Sequence, residues 1–233
     1  MRKLKLDTDF RYERKYLWPH AEPSSLVQQI KFHPALFTEL YPMRTVYSLY
    51  FDTPNLFFLQ QNVLGHFDRA KVRLRWYEQD GVFTKPHLEI KYKQGDVNTK
   101  YFFDFPIEDQ IMNSIADYKK MTKITSQVQL ILVHELQQAS LLQPCLLNYY
   151  QRQYYFSKRT QMRVTVDSEL KCKQHSDHLY QLSFRTQDNC ILELKYEVED
   201  DKKLRAVTNQ LPLRISKVSK YEIGMRMTYP QAS

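Results

Sequence analysis

A period-two alternation of charged and apolar residues, repeated in segment after segment, constrains this chain more than any other feature of its sequence. Successive side chains of a β-strand point to opposite faces, so each such segment predicts a strand with one charged face and one apolar face. Lys71, Arg73 and Arg75 alternate with Val72, Leu74 and Trp76, and Glu89, Lys91 and Lys93 alternate with Leu88, Ile90 and Tyr92. Arg163, Thr165 and Asp167 oppose Met162, Val164 and Val166, and Glu193, Lys195 and Glu197 oppose Leu192, Leu194 and Tyr196. Near the start, Arg11, Glu13 and Lys15 share one face, while Phe10, Tyr12 and Tyr16 share the other with Arg14. Weaker strands are predicted at 45–51, 100–105, 146–155 and 180–185, where aromatic and β-branched residues concentrate. Helices are predicted at 24–32 behind a Pro-Ser-Ser start and at 126–142 from apolar spacing of three and four, with further helical segments at 108–121 and 200–209.

A charged strand face is ordinarily a solvated face. Here, however, like charges such as Arg73 and Arg75 recur two residues apart on the same face, where they repel. That repulsion is relieved when a polyanion lies between the side chains, because bidentate Arg–phosphate contacts are strong charge-assisted hydrogen bonds. The alternation places Arg11, Lys15, Arg73, Arg75, Lys91, Arg152, Arg163, Lys195 and Lys220 inward, against Glu13, Glu89, Asp167, Glu193 and Glu197. The surplus of about four positive charges matches one triphosphate tail. The expected fold is therefore mainly β (α+β): a closed antiparallel β-barrel tunnel of about eight strands with helices packed outside. Residues 1–233 are expected to form a single domain, since barrels of this length commonly stay undivided.

Lys and Arg outnumber Asp and Glu by 34 to 26, which points to an anionic partner without naming it. Nucleic acid is not expected, because Tyr12, Trp76, Tyr92, Tyr154 and Tyr155 fall mostly opposite the charged faces, so stacking and phosphate contact would lie on different sides of the sheet. Cys145, Cys172 and Cys190 are odd in number and widely spaced, which suits a reducing, cytoplasmic setting without disulfides. The basic N-terminus lacks an apolar run behind it, so neither a signal peptide nor direct membrane insertion is expected. Cys172, His175 and His178 have a spacing open to metal, but they lie in a stretch that reads as a turn. No P-loop, Gly-rich dinucleotide loop or nucleophile elbow occurs, so a nucleotide would have to be held by side chains.

Several of these segments, in this order, carry a family resemblance: ERKY at 13–16, YFDT at 50–53, VRLRWY at 72–77, LEIKYK at 88–93, YYQR at 149–152, RVTVD at 163–167, LELKYE at 192–197 and KVSKYEIGM at 217–225. Over most of its length the chain resembles the CYTH-like triphosphate tunnel metalloenzymes, and within them the catalytic domain of the vacuolar transporter chaperone (VTC) polyphosphate polymerases. The resemblance implies phosphate-holding roles for Lys15, Arg73, Arg75, Lys91, Arg152 and Arg163, with Tyr150 and Lys195 beside them and Lys217 and Lys220 closing the tunnel. It implies a divalent metal, Mn2+ or Mg2+, carried by Glu193 with Glu13 nearby. It further implies that the terminal phosphoryl group of ATP moves onto phosphate or polyphosphate. The charge-neutralising, geometry-fixing demands of phosphoryl transfer suit such a cationic tunnel.

At the opening strand the wider superfamily often has Glu-x-Glu-x-Lys, whereas this chain has Arg11, Glu13 and Lys15. The replaced acid favours the polymerase branch and a single metal. Any transfer of product across a membrane would fall to a separate membrane partner. Two other functions fit the same residues: hydrolysis of tripolyphosphate or a nucleoside triphosphate, and polyphosphate sensing without turnover, against which Glu193 argues as a carboxylate placed among cations.

Overall fold

The alternating segments pair into one antiparallel sheet of eleven strands. The computed structural model describes residues 3–7, 11–19, 22–95, 97–105, 117–136, 141–175, 185–197, 205, 207–211 and 214–229. The strands are β1 (Lys3–Asp7), β2 (Arg11–Trp18), β3 (Thr38–Asp52), β4 (Asp68–Gln79), β5 (Val82–Phe83), β6 (His87–Gln94), β7 (Val97–Asp104), β8 (Gln143–Ser157), β9 (Met162–Gln174), β10 (Arg185–Gln187) and β11 (Cys190–Glu197). Their order is β1-β7-β6-β4-β3-β8-β9-β11-β2, with β5 pairing β4 and β10 pairing β9. Four described helices accompany them: α1 (Pro23–Lys31), α2 (Phe57–Val63), α3 (Tyr118–Leu136) and α4 (Lys220–Thr228).

This order does not confirm the closure expected of a barrel. The strand path ends at β1 and β2, and among the described residues no backbone hydrogen bond joins the two ends. The sheet nevertheless curls, because side chains of β2 at one end and of β6 and β7 towards the other line the same cavity. The expectation that helices pack outside holds for α1 and α3 and fails for α4. Met121, Ile124, Val128 and Leu132 of α3 join Leu49, Phe51, Val72, Leu74, Trp76, Leu88 and Ile90 in an outer core. Leu26 and Ile30 of α1 do the same over Val164, Val166, Leu192 and Leu194. Burying side chains of this size contributes about 1.5 to 3 kcal/mol each, which fixes the strand register because a one-residue slip would turn all of them to the other face.

Helix α4 instead packs on the concave face. Tyr50, which lines the cavity, pairs directly with Leu146, so the two share a face. Leu146 and Cys172 approach Gly224 of α4 so closely that an added Cβ would meet Leu146 Cδ2 at 2.6 Å. Ser219 caps the helix by accepting from the Glu222 amide. Tyr221 donates to the buried Asp52 carboxylate, which also accepts from the Phe58 and Leu59 amides at the start of α2. One carboxylate at the end of β3 thus anchors two helices.

Local details depart from the sequence reading. The residue before α1 is Glu22, without a side-chain cap bond, and Pro23 takes the first turn. Helix α3 begins at Tyr118, well before 126, because Met121 and Ile124 also reach the outer core. The strand expected at 180–185 and the helical segments at 108–121 and 200–209 lie largely outside the described residues. No described helix is long and apolar enough to cross a membrane.

Candidate phosphate-binding cavity

Antiparallel pairing carries single sequence positions into rows across the concave face, because directly paired residues share a face. Lys71, Lys91 and Lys100 form one row across β4, β6 and β7. The next row runs Tyr50, Arg73, Glu89 and Phe102, and the one after it Ser48, Arg75 and His87. On the opposite wall Arg152 pairs Asp167, Glu193 lies between Thr165 and Lys15, and Lys195 lies between Arg163 and Glu13.

These rows enclose a cavity of about 340 Å³ lined by nine cationic side chains, Lys15, Lys71, Arg73, Arg75, Lys91, Lys100, Arg152, Lys195 and Lys220, against three carboxylates, Glu13, Glu89 and Glu193. Asp167 and Glu222, bonded to Lys220 and Lys71 at the wall, raise the acids to five and leave a surplus of four. A wider vestibule shares Glu13, Lys15, Lys71, Lys91, Lys100 and Lys195 with the cavity and adds Arg14, Arg69 and Lys217.

The cations are not equivalent. Arg73 bonds Glu89 through Nε at 2.7 Å and the Tyr50 hydroxyl at 3.1 Å. Arg75 lies 3.4 Å from Glu89 Oε1 and donates to the Tyr150 hydroxyl. Arg152 grips Asp167 with two bonds, and Lys220 bonds the same carboxylate while its ammonium sits 4.5 Å from the centre of the Tyr150 ring. Lys71 donates to Ser219 Oγ at 2.9 Å and lies 3.4 Å from Glu222. Lys91 and Lys100, in contrast, have no ion-pair partner within 4.0 Å among the described residues.

Burial and crowding set the protonation of the group. Burial alone would raise the Glu13 and Glu193 carboxyls, and Glu193 raises Glu13 further, but the surrounding lysines, with Arg152 beside Glu193, outweigh these effects, holding Glu13 at about 2 and Glu193 well below its usual range. Burial likewise opposes the charge of Glu89, yet Arg73 and Arg75 keep that carboxyl far down. Burial pushes Lys71 and Lys91 down to about 8, aided by the cations around them and opposed by Glu222 and Glu13 respectively.

Of the residues singled out in the sequence, Glu13, Lys15, Arg73, Arg75, Lys91, Tyr150, Arg152, Glu193, Lys195 and Lys220 meet in the cavity, and Lys217 lies in the vestibule. Arg163 is the correction: it faces the same side as Lys195 but stands at the start of β9 beside the β8–β9 turn, exposed and lining neither space. The Arg11 side chain lies outside the described residues, and Glu197 is exposed. Lys71 and Lys100 were missed, although Lys71 sits in the same alternation as Arg73. Cys172 is buried beneath α4 with its thiol pushed up to about 12 by burial, which does not suit a metal ligand, and His178 is outside the described residues.

Glu13 and Glu193 are the carboxylates available for a metal. Lys15 lies 2.8 Å from Glu13 Oε1 and 3.9 Å from Glu193 Oε2, and Lys195 lies 2.8 Å from Glu193 Oε1. Among the described residues no group of three or more His, Cys, Asp or Glu side chains is arranged to hold an ion. The donor set fits a hard divalent ion that takes one or two carboxylates from the protein and its remaining oxygens from phosphate and water.

A sequence profile for the VTC domain matches residues 10–229. No curated protein matches the chain significantly. Among solved structures, a putative adenylate cyclase from Bacillus halodurans is similar with a TM-score of 0.54 at 12% identity, over 91% of this chain and 94% of that one. A putative adenylyl cyclase from Hippeastrum, described as having a dominant triphosphatase activity, is similar with a TM-score of 0.52 at 18% identity, over 93% and 95% of the two chains. A putative adenylate cyclase from Vibrio parahaemolyticus has a TM-score of 0.50 at 14% identity, over 93% and 98%. At these identities the likeness concerns the fold.

Proposed function

The chain belongs to the VTC domain family, and from that premise we propose that it is a metal-dependent phosphotransferase moving the terminal phosphoryl group of ATP onto phosphate or a growing polyphosphate. The observation that carries this reading is the convergence of nine cations on one cavity with too few carboxylates to neutralise them. Arg73, Arg75 and Arg152 are the forked donors suited to the oxygens of the transferring group, where charge spreads in the transition state. Lys15, Lys195 and Lys220 neutralise the neighbouring phosphates, Tyr150 supports Lys220 and Arg152 through its ring, and Lys91 and Lys217 continue the track outward. Glu13 and Glu193 would hold Mg2+ or Mn2+, which when bound would withdraw charge from the phosphate oxygens. A phosphate acceptor is already anionic and needs no strong base, in keeping with a lining that contains no His or Cys among the described residues.

Hydrolysis is the second reading, favoured by the triphosphatase activity described for the Hippeastrum protein. It needs the same cavity with water in place of the acceptor phosphate. Incubating the protein with ATP, Mn2+ and pyrophosphate and resolving the products on a gel separates the two: a ladder supports transfer, and free phosphate alone supports hydrolysis. No product from a folded protein that binds tripolyphosphate would leave a sensor and overturn both.

A further inference from the structure

The chemistry of the cavity lining changes along its length. One end is the row of Lys71, Lys91 and Lys100, which contains no aromatic ring. Further along, rings enter the lining: Phe102 lies in the Arg73 row, two strands across from Arg73 and about 10 Å away, and Tyr77 lies two residues past Arg75 on β4, about 7 Å along the strand. His87 stands between them, its ring 6.1 Å from Tyr77 at 23° and 6.3 Å from Phe102 at 40°. Glu89 holds His87 in place through Nε2 at 3.0 Å. All three rings are only partly buried on the concave face, where Tyr77 packs against the cluster that contains Val46 and Tyr150, while Phe102 and His87 join no hydrophobic cluster among the described residues. A phosphate chain gains nothing from a π face, so a purely inorganic ligand gives the cavity-lining rings of Tyr77 and Phe102 no role in binding.

We propose that Tyr77 and Phe102, with His87 behind them, form a nucleobase subsite, so that a nucleoside triphosphate lies with its base on the rings and its terminal phosphate toward the lysine row. The proposal rests on the reading of the cavity as a phosphate site and adds to it a donor class and a direction. Stacking on an aromatic ring tolerates any base, so the subsite separates nucleotides from inorganic phosphates more than it separates one base from another. Direction matters for transfer: the phosphoryl group that leaves points to the space where Lys91 and Lys100 have no ion-pair partner among the described residues, and the spent nucleoside diphosphate stays on the side of the rings.

Tyr77→Leu and Phe102→Leu keep an apolar side chain and remove the ring. Titrating each variant by calorimetry with ATP and, separately, with tripolyphosphate tests the proposal. The expected result is ATP binding weakened by about tenfold, the size of one base–ring stack, with tripolyphosphate binding unchanged. Equal weakening of both ligands, or unchanged ATP binding, overturns the subsite while leaving the phosphate reading intact. Failure of the unmodified protein to bind tripolyphosphate overturns the phosphate reading and the subsite with it. A measurement that needs no variant is the proton NMR spectrum of ATP with the unmodified protein: ring currents should move the adenine ring protons upfield, and bound ATP with unshifted adenine resonances overturns the proposal.

Discussion

Replacing Glu89 with glutamine tests whether the carboxylates of the cavity stand in for an absent ligand. Glu89 has a side chain 13% exposed, is bonded to Arg73 and lies 3.4 Å from Arg75. Unit charges about 4 Å apart interact by about 4 kcal/mol at an effective dielectric near 20. Glutamine keeps an acceptor oxygen and loses the charge, leaving two neighbouring guanidiniums uncompensated. Removing one partner of a buried pair costs about 3 to 5 kcal/mol, and the lower figure suits a partly hydrated site. At about 2 to 4 °C per kcal/mol for a domain of this size, Glu89→Gln should lower Tm by roughly 6 to 12 °C. Saturating tripolyphosphate should then close the gap to the parent, because phosphate oxygens take over the two arginines. Linkage requires affinity to rise by the same free energy, on the order of a hundredfold. Thermal melts with and without tripolyphosphate, together with calorimetric Kd values near pH 7, measure both quantities. A Tm gap that persists at saturation, or a Kd no tighter than the parent's, refutes the argument.

Arg73→Ala should lower kcat/KM by about 2 to 4 kcal/mol of transition-state stabilisation while the fold survives, and unchanged turnover in a folded variant removes Arg73 from the reaction. Glu193→Gln should abolish metal-dependent turnover yet retain polyphosphate binding, since the cations remain; full activity with Mn2+ or Mg2+ argues against its role. Lys71 and Lys91 titrate near 8 in the fold, against about 10.4 for an unperturbed lysine. Between those values the unfolded chain holds more protons, so the stability of the free protein should rise with pH across that window. An anionic ligand restores both charges, so tripolyphosphate binding near pH 8 should take up about one proton in total; calorimetry in buffers of different ionisation heat detects it, and zero uptake contradicts the shift.

The parts of the site that were legible were those set by strand alternation alone. Arg73, Arg75, Lys91, Glu193 and Lys195 meet in one cavity because each occupies the charged parity of a strand whose other parity fills a core. Lys71 obeys the same parity and was readable, whereas Lys100 lies in a segment of mixed pattern. Parity says nothing about how far along a strand the enclosure extends, which is why Arg163 shares a face with Lys195 and still projects into solvent. Helix α4 was hidden for a different reason. Its segment was read as a motif, and its seat depends on the gap left at Gly224 by Leu146 and Cys172 and on the Asp52–Tyr221 bond, contacts between residues far apart in the chain. Whether the strand path closes is likewise decided by the meeting of its two ends, which no local pattern records.

That unclosed path gives the cavity wall a seam. Elsewhere around the curl, ladders of backbone bonds hold neighbouring strands about 4.8 Å apart; between β1 and β2 no described bond does so. Lys91 feels the charge of Glu13 across this region. A bound phosphate chain, touching Lys15 on β2 at one side of the seam and Lys91 on β6, two strands in from the other side, would act as the missing staple. Amide exchange along β2 and β7 should therefore slow when the cavity is filled, and the empty bore should widen in concentrated salt.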